Sequence, residues 1–298
     1  MNNPQVCVLL STYNGENFLQ EQLDSLYNQT IPVDIHVRDD GSTDGTLSIL
    51  QTNANKIKSI SYGINIGCCH SFLTLVKEVS NDYEYYMFCD QDDVWLPNKV
   101  EAAMSKLQNV DSPRLYISAL TTVDTELNVI NQCINVLPKN KCLTLEKSLV
   151  KSYGYGCTMM FNLALKKLYA QLDFPWMDSH DWYMQKVAML FGDVVCDENA
   201  HIWYRQHDNN VCGINKKVTF KQNKARMRKA KYARSKVADI LLKTYNDQLD
   251  EKRKNSLTVI SEAKKIKNRF KILFSHKYSA YSLKSNLAIK VYAILGIL

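Results

Sequence analysis

The chain has 298 residues, 46% hydrophobic and 22% charged, a length that predicts one large globular domain or one domain plus an extension. The apolar run that comes closest to a membrane span, Leu287–Leu298, contains Lys290 and is shorter than the roughly 18 residues that a span needs. Met1–Leu10 lacks the basic region of a signal peptide, and nine cysteines without a CxxC pair predict reduced thiols in a cytoplasmic protein and disfavour a zinc site.

The net charge of +7 combines two parts of opposite charge. Residues 1–214 hold 15 basic and 25 acidic residues, whereas residues 215–298 hold 22 basic and 5 acidic residues. The sequence therefore predicts an acidic globule at 1–214 followed by a strongly basic C-terminal arm at 215–298.

Short apolar runs alternate with helical repeats along the first hundred residues. Runs of β-branched and aromatic residues predict strands, and apolar residues three or four positions apart predict helices between them. The predicted strands are 6–10, 35–37, 57–62 and 85–88, and the predicted helices are 16–29, 46–52, 71–78 and 99–108. This alternation predicts an α/β fold, with a mainly parallel sheet flanked by helices and right-handed crossovers.

The second half is less regular. Strands are predicted at 115–123, 159–161, 193–196 and 200–204, helices at 163–172 and 182–191, and a loop at 131–141.

Polar segments follow each of the four early strands, at residues 11–15, 38–46, 65–67 and 90–93. The carboxyl ends of parallel strands lie at one edge of a sheet, where open α/β sheets bind their ligands. We therefore expect these four segments to converge.

The last of them, Asp90-Gln91-Asp92-Asp93, carries three carboxylates in four residues directly after a buried strand. Carboxylates this close repel each other unless a cation shares their charge. A hard divalent metal is the natural partner, and such metals usually accompany a phosphate-bearing substrate. The alternative is a solvated acidic turn that caps the next helix.

Six motifs, taken together and in this order, resemble glycosyltransferase family 2, in the branch of bacterial rhamnosyltransferases and related hexosyltransferases that build surface polysaccharides. The motifs are Ser11-Thr12-Tyr13-Asn14-Gly15, Asp39-Asp40-Gly41-Ser42-Thr43-Asp44, Asn65-x-Gly67, Asp90-Gln91-Asp92-Asp93-x-Trp95, His180-Asp181-Trp182 and Tyr204-Arg205-Gln206-His207. The resemblance covers residues 4–213 and implies a Rossmann-like GT-A fold, an inverting reaction, a UDP- or dTDP-sugar donor, and Mn²⁺ or Mg²⁺.

The resemblance also implies a nucleotide-sugar site in the strand-end loops. Asp40, together with Asp39, would accept a hydrogen bond from the imide N–H of uracil or thymine, because a carboxylate suits a donor edge. The alternative is that both residues only form the turn before Gly41. The other donor contacts implied are Thr12, Tyr13, Asn14, Asn65, Gly67, Asp90, Gln91, Asp92 and Arg205.

The implied metal ligands are Asp92 and His207. A metal there would neutralise the charge that builds on the leaving diphosphate, and an imidazole ligand favours Mn²⁺ over Mg²⁺. The alternative for His207 is an ordinary loop histidine.

Asp181 is the implied catalytic base. An inverting transfer needs a carboxylate that takes the proton from the acceptor hydroxyl as that hydroxyl attacks the anomeric carbon. The alternative is an N-terminal helix cap, a role that suits Asp and is compatible with catalysis. We interpret His180 as a neighbour that shapes the site. Cys157 is either near the donor sugar or a core residue.

Lysines and arginines interleave with apolar residues at 216–236 and 264–271, a pattern typical of amphipathic helices with basic faces. Such helices lie on anionic membranes. The alternatives are self-association into a homo-oligomer and nucleic-acid binding, for which no motif is present.

The whole pattern predicts a hexosyl- or deoxyhexosyltransferase that acts on a lipid-linked bacterial surface glycan, such as O-antigen or capsule, at the inner face of the cell membrane. The alternative functions are a degenerate sugar-nucleotide-binding regulator and a sugar-phosphate nucleotidyltransferase. The latter would want a basic Gly-rich loop after the first strand, which Ser11–Gly15 does not provide.

Overall fold

Nine strands form one mixed β-sheet in the computed structural model, which describes residues 5–107, 110–134, 143–173, 179–207 and 232–298. The strands are β1 (Val6–Thr12), β2 (Val33–Asp39), β3 (Ser59–Tyr62), β4 (Tyr85–Cys89), β5 (Val94–Trp95), β6 (Arg114–Val123), β7 (Val129–Ile134), β8 (Met159–Asn162) and β9 (Asp193–Arg205). The sheet order is β3-β2-β1-β4-β8-β6-β9-β5, with β7 also paired to β6.

Helices flank this sheet. They are α1 (Leu19–Tyr27), α2 (Thr46–Thr52), α3 (Cys68–Glu78), α4 (Lys99–Leu107), α5 (Leu145–Val150), α6 (Leu163–Tyr169), α7 (His180–Phe191), α8 (Ala233–Tyr245), α9 (Glu251–Ser261), α10 (Ile266–Phe274) and α11 (Leu283–Leu295). Among the described residues, no helix combines the length and the apolar character needed to cross a membrane.

The first half of the sheet is parallel, as predicted. β1 pairs in parallel with both β2 and β4, and β2 pairs in parallel with β3. The register places Thr12 opposite Asp39, and Asp39 opposite Tyr62. All four strands therefore end at the same edge, and helices α1 to α3 make the crossovers between them.

The second half corrects the prediction of a mainly parallel sheet. β8 lies between β4 and β6 and is antiparallel to both, whereas β9 is parallel to β6. The predicted strands 193–196 and 200–204 form one strand, β9, whose register against β6 shifts between Ser118 and Ala119. The predicted loop 131–141 is wrong at its start, because Val129–Ile134 forms β7; residues 135–142 lie outside the described part of the chain.

Alternating side chains of the central strands fill two hydrophobic cores, one on each face of the sheet. Val8 and Met87 belong to the core that α1 and α4 cover, and Leu9 and Phe88 belong to the other. That second core also takes in side chains from α3, α7 and the C-terminal helices, including Leu241, Leu257, Ile272 and Ile289.

The described part of the C-terminal arm is thus helical and packs against α5, α6 and α7, as the hydrogen bond from the Tyr245 hydroxyl to the Leu168 carbonyl and the contact of the Phe191 and Tyr245 rings show. Residues 208–231, with the boundary predicted at 214 and most of the basic cluster 216–236, lie outside the description. The division into a globule and an arm stays a prediction.

Candidate active site

The loops that follow β1, β2 and β4 converge at one edge of the sheet. The Asp40 N–H donates to the Thr12 carbonyl at 2.8 Å. The Gln91 side chain bridges to the first loop, accepting from the Tyr13 N–H at 2.8 Å and donating to the Tyr13 carbonyl at 3.0 Å. A Cβ at position 15 would lie 2.3 Å from the Gln91 Oε1 atom, so this contact requires glycine there. These contacts confirm the predicted convergence of the strand-end loops.

Asn14 and Ser42 join the same two loops. The Asn14 N–H donates to the Ser42 hydroxyl at 2.9 Å, and the Asn14 side-chain oxygen accepts from the Thr43 N–H at 2.8 Å. Tyr13, in contrast, is 45% exposed. Its ring is available to a ligand, whereas Asn14 is engaged in loop structure.

The buried Asp39 carboxylate is fully occupied by protein donors. It accepts from the Thr12 hydroxyl at 2.9 Å, the Ser42 hydroxyl at 2.6 Å, the Ser42 N–H at 2.8 Å and the Gly41 N–H at 3.1 Å. A carboxylate offers about four lone-pair sites. Asp39 therefore holds the turn that the sequence suggested as its alternative role.

Asp40 is likewise buried and engaged. It pairs with the Arg38 guanidinium and accepts from the N–H groups of Ile66 at 3.0 Å and Gly67 at 2.8 Å. Asn65 lies in the same loop, where its side-chain oxygen accepts from the Gly67 N–H at 3.1 Å. Asp40 thus anchors the Asn65–Gly67 loop beside the site, and recognition of a base by Asp39 or Asp40 stays a prediction.

The acidic cluster after β4 is electrostatically strained. Burial, and next the charge of Asp92, raise the pKa of both Asp90 and Asp93 well above the usual range of a carboxyl. Asp93 is fully buried, and its Oδ2 atom has no hydrogen-bond partner among the described residues. The cluster has the surplus of negative charge that a divalent cation would relieve.

Cys157 completes this cluster from a separate part of the chain. It lies in a short 3₁₀ turn, Gly156–Thr158, and potential ligand atoms of Asp90, Asp93 and Cys157 all lie within 4.8 Å of one another. Burial, followed by the charges of Asp93 and Asp90, raises the pKa of the thiol. Cys157 is therefore both a core residue and a neighbour of the acidic cluster.

Asp92 faces His207 across the site. The Asp92 Oδ2 atom and the His207 Nε2 atom are 2.7 Å apart, and both side chains are mostly buried. A carboxylate oxygen and an imidazole nitrogen are suitable ligands for Mn²⁺. The donor set, its surplus of negative charge and the incomplete bonding of Asp93 all fit a divalent cation.

Arg205 is the buried support of this loop. It donates to the backbone carbonyls of Asp92 at 2.8 Å and Thr125 at 2.6 Å, and it pairs with Glu21 of α1. Its backbone N–H donates to Asp93 at 3.1 Å. The guanidinium is enclosed beneath the acidic loop, so the predicted contact with the donor stays a prediction while the structural role is observed.

Asp181 lies in the first turn of α7, after the N-cap residue Ser179. The Asp181 Oδ1 atom accepts from the Ser179 hydroxyl and, at 2.8 Å, from the Trp182 N–H. Its charge acts on the acidic cluster, since it adds to the effects of burial and Asp92 in raising the pKa of Asp90. The structure therefore brings Asp181 to the edge that carries Asp90, although the two residues are 91 positions apart in the sequence.

His180 shapes the floor of this region. Its ring packs against Phe72 at 4.3 Å and Phe88 at 4.7 Å between centroids, and burial lowers its pKa, which keeps it neutral. A Cβ at position 156 would lie 2.2 Å from the His180 Nε2 atom. Gly156 therefore allows the 3₁₀ turn to approach the ring.

The adjacent cysteines Cys68 and Cys69 begin α3 beside the site, with their sulfur atoms 3.9 Å apart. The hydrogen bond with the Cys69 thiol lowers the pKa of Cys68, against the opposing charges of Asp181 and Asp40. The pair therefore lies between the loop that Asp40 anchors and the start of α7.

Two buried lysines near the site escaped the sequence interpretation. Burial lowers the pKa of Lys99 to about 8 and that of Lys186 to about 7. The Lys99 Nζ atom lies 4.8 Å from the Trp95 ring centroid and has no hydrogen-bond partner among the described residues. The sequence does contain a sign that Lys99 is buried, because its spacing places it on the same face of α4 as the buried Ala103 and Leu107.

Comparison with known proteins bears on the family and the fold of the chain. The profile of the family described as "Glycosyl transferase family 2" matches residues 7–168. A relative named dTDP-rhamnosyl transferase RfbG, from Shigella flexneri, is 29% identical over 249 residues, which are 78% of this chain and 83% of the relative.

Two solved structures share the fold. S. aureus TarS 1-349 in complex with UDP-GlcNAc is 17% identical with a TM-score of 0.61, and the match covers 99% of this chain and 82% of TarS. The mannosyltransferase PcManGT from Pyrobaculum calidifontis, in complex with GDP-Man and Mn²⁺, is 15% identical with a TM-score of 0.51, covering 99% of this chain and 86% of that one. The chain has the GT-A fold and belongs to glycosyl transferase family 2.

Proposed function

We propose that the protein is an inverting, metal-dependent glycosyltransferase that moves a hexose or deoxyhexose from a UDP- or dTDP-sugar to a hydroxyl of a lipid-linked bacterial surface glycan. The observation that carries this proposal is the juxtaposition of two unlike halves at one sheet edge. The Asp92–His207 pair and the strained acidic cluster form one half, and Asp181 forms the other.

The first half would hold the donor. Tyr13 offers an exposed ring beside the loops of Asn14 and Asn65, where a nucleoside would lie. Mn²⁺ or Mg²⁺ held by Asp92 and His207 would neutralise the charge of the departing diphosphate. Arg205 fixes the Asp92 backbone and so preorganises this carboxylate before the donor arrives.

The second half would activate the acceptor. Both observed hydrogen bonds of the Asp181 carboxylate use Oδ1, and the described residues provide no hydrogen bond to Oδ2. The Ser179 hydroxyl and the Trp182 N–H thereby orient the group and leave one oxygen for the acceptor proton. The hydroxyl oxygen would attack the anomeric carbon as the diphosphate leaves from the opposite face.

The donor and acceptor classes rest on similarity and on charge. The relative named dTDP-rhamnosyl transferase supports a dTDP-deoxyhexose donor, and the TarS complex with UDP-GlcNAc supports a UDP-sugar. The basic arm supports attachment to the anionic inner face of the cell membrane, where a lipid-linked acceptor would be present.

The test is nucleoside diphosphate release by the purified full-length protein, with a panel of UDP-, dTDP- and GDP-sugars and with Mn²⁺, Mg²⁺ or EDTA. We expect release from a UDP- or dTDP-sugar that requires the metal. Asp92→Asn should weaken the apparent metal affinity by about 10-fold or more, the cost of losing an ion-binding carboxylate.

Asp82→Asn is the matched control, since Asp82 is an exposed carboxylate in the segment before β4, away from the ligand-binding edge. It should leave metal dependence unchanged. Undiminished release in EDTA, or no release from any sugar nucleotide, would contradict the proposal.

A further inference from the structure

The outer faces of α10 and α11 carry two exposed apolar stripes. On α10 the exposed side chains Ile266, Phe270 and Phe274 are spaced four residues apart and so share one helix face. The stripe on α11 consists of Leu283, Leu287, Val291, Ile294 and Leu295. Phe274 is 75% exposed and Leu283 is 88% exposed.

The two helices form an antiparallel hairpin. The Lys290 ammonium donates to the Ile272 carbonyl at 2.8 Å, and the Arg269 guanidinium donates to the Ile294 carbonyl at 3.4 Å. A position early in α10 thus lies beside the end of α11, and a later position in α10 lies beside an earlier one in α11.

The inner faces of the hairpin point into one core. Ile272 of α10 and Ile289 and Ala293 of α11 are buried in the same hydrophobic cluster that covers one face of the sheet. Because both inner faces contact the same core, both apolar outer faces point away from it. Large apolar surfaces of this kind on a soluble protein mark an interaction site.

The charge around the stripes selects the partner. Residues 263–298 contain eight lysines and arginines and neither aspartate nor glutamate. Two copies of this face would bring like charges together, which disfavours self-association. Nucleic acid would use the cations and leave the exposed leucines and phenylalanines in water. An anionic lipid surface satisfies both the cations and the apolar side chains.

We propose that the outer faces of α10 and α11 insert into the surface of an anionic bilayer and anchor the protein there. The proposal specifies which surface makes the membrane contact of the proposed function. It rests on that function only in explaining why membrane docking would be useful. It places the contact on the hairpin, whose α10 overlaps the predicted basic segment 264–271, and extends it to the apolar stripe of α11. Helix α11 has 13 residues. At about 1.5 Å per residue it is about 20 Å long, too short for the roughly 30 Å hydrocarbon core, so it lies in the membrane surface.

The hairpin is also connected to the acceptor half of the active site. The Lys151 ammonium donates to the Ser285 hydroxyl at 3.0 Å, and the Tyr281 N–H donates to the Tyr153 hydroxyl at 3.2 Å. The segment that contains Lys151 and Tyr153 continues to Gly156. Gly156 lies against His180, the neighbour of Asp181. A bilayer bound to the hairpin would therefore be coupled to the side of the site where a lipid-linked acceptor must enter.

The experiment is co-sedimentation of the full-length protein with vesicles of phosphatidylcholine alone or mixed with phosphatidylglycerol. We expect the natural sequence to bind only the anionic vesicles. The triple variant Leu283→Gln/Leu287→Gln/Leu295→Gln keeps every charge and should bind at least about 10-fold more weakly, since three apolar side chains no longer enter the lipid.

The matched control is Val129→Gln/Ile130→Gln, which removes two exposed apolar side chains from β7, at 55% and 46% exposure. It should bind vesicles like the natural sequence. Circular dichroism and the thermal midpoint check that each variant is folded. In Leu287→Trp, quenching of the added tryptophan by brominated lipids should report insertion directly.

Equal vesicle binding by the triple variant and the natural sequence would overturn the proposal. So would a result in which neither protein binds lipid, the natural sequence is a dimer and the triple variant is a monomer. Donor binding is measured in parallel and should be unchanged in the triple variant. Loss of lipid binding with intact donor binding supports the hairpin anchor, whereas lipid binding by a protein that turns over no sugar nucleotide would refute only the proposed function.

Discussion

The buried Arg38–Asp40 pair offers a quantitative test of what Asp40 does. Both side chains are almost fully buried, and Asp40 also holds the N–H groups of Ile66 and Gly67. Asp40→Asn would leave the guanidinium as an unpaired buried charge, which typically costs about 3–5 kcal/mol. It would also turn a side-chain N–H₂ towards backbone donors, which adds about 1 kcal/mol or more.

We therefore expect Asp40→Asn to lower the free energy of unfolding by about 4–6 kcal/mol, measured by urea denaturation without nucleotide. Arg38→Met should cost about 3 kcal/mol, because Asp40 keeps its two backbone donors, and the double variant should cost about 2 kcal/mol less than the sum. The control is the ion pair of the exposed Lys58 with the partly buried Asp34, at 3.4 Å, in which Asp34 also accepts from the Tyr83 hydroxyl. Lys58→Met should cost less than about 1 kcal/mol.

A different result would refute the reasoning. If Asp40→Asn kept the stability of the natural sequence within about 0.5 kcal/mol and lost affinity only for UDP or dTDP, Asp40 would be a reader of the base and not the anchor of the loop.

Three further predictions concern buried residues around the site. Burial lowers the pKa of Lys99 to about 8, so above that pH the native state has lost a proton that the unfolded chain keeps. Between about pH 8 and 9.5 the free energy of unfolding of the natural sequence should therefore rise by about 2 kcal/mol relative to that of Lys99→Met. Urea titrations in which the two proteins show the same pH dependence would refute this. Gly156→Ala places a Cβ 2.2 Å from the His180 Nε2 atom; calorimetry should show a loss of about 1–3 kcal/mol, and an unchanged thermal midpoint would contradict the packing described. Arg205→Lys removes the hold on the Asp92 backbone and should weaken Mn²⁺ binding by about 10-fold in isothermal titration, whereas exposed Arg253→Lys should not; equal affinities would refute the supporting role of Arg205.

The sequence was informative where structure follows from local pattern. Polar residues directly after short apolar runs predicted the strand-end loops, and their convergence follows from parallel pairing, which the register of Thr12 and Asp39 confirms. The family and the fold could be predicted from six motifs for the same reason, since each motif sits in one short segment.

What the sequence could not predict depends on residues far apart. Arg205 donates to the carbonyls of Asp92 and Thr125 and pairs with Glu21, so its supporting role joins three distant segments and is visible only in three dimensions. The antiparallel insertion of β8 between β4 and β6 is equally non-local, because a period of two in hydrophobicity does not specify a neighbour. The burial of Lys99 is also hard to predict, because a lysine side chain is almost never fully buried in a folded protein.

If Asp181 belongs to the acceptor half of the site, its substitution should leave donor binding intact and remove transfer. The most direct measurement compares the natural sequence with Asp181→Asn for nucleotide-sugar affinity and for transfer to acceptor in the presence of Mn²⁺. We expect nearly unchanged donor affinity and a loss of transfer of about 100-fold or more, because removal of a general base slows only the chemical step. Full transfer by Asp181→Asn would contradict the assignment of Asp181 as the catalytic base.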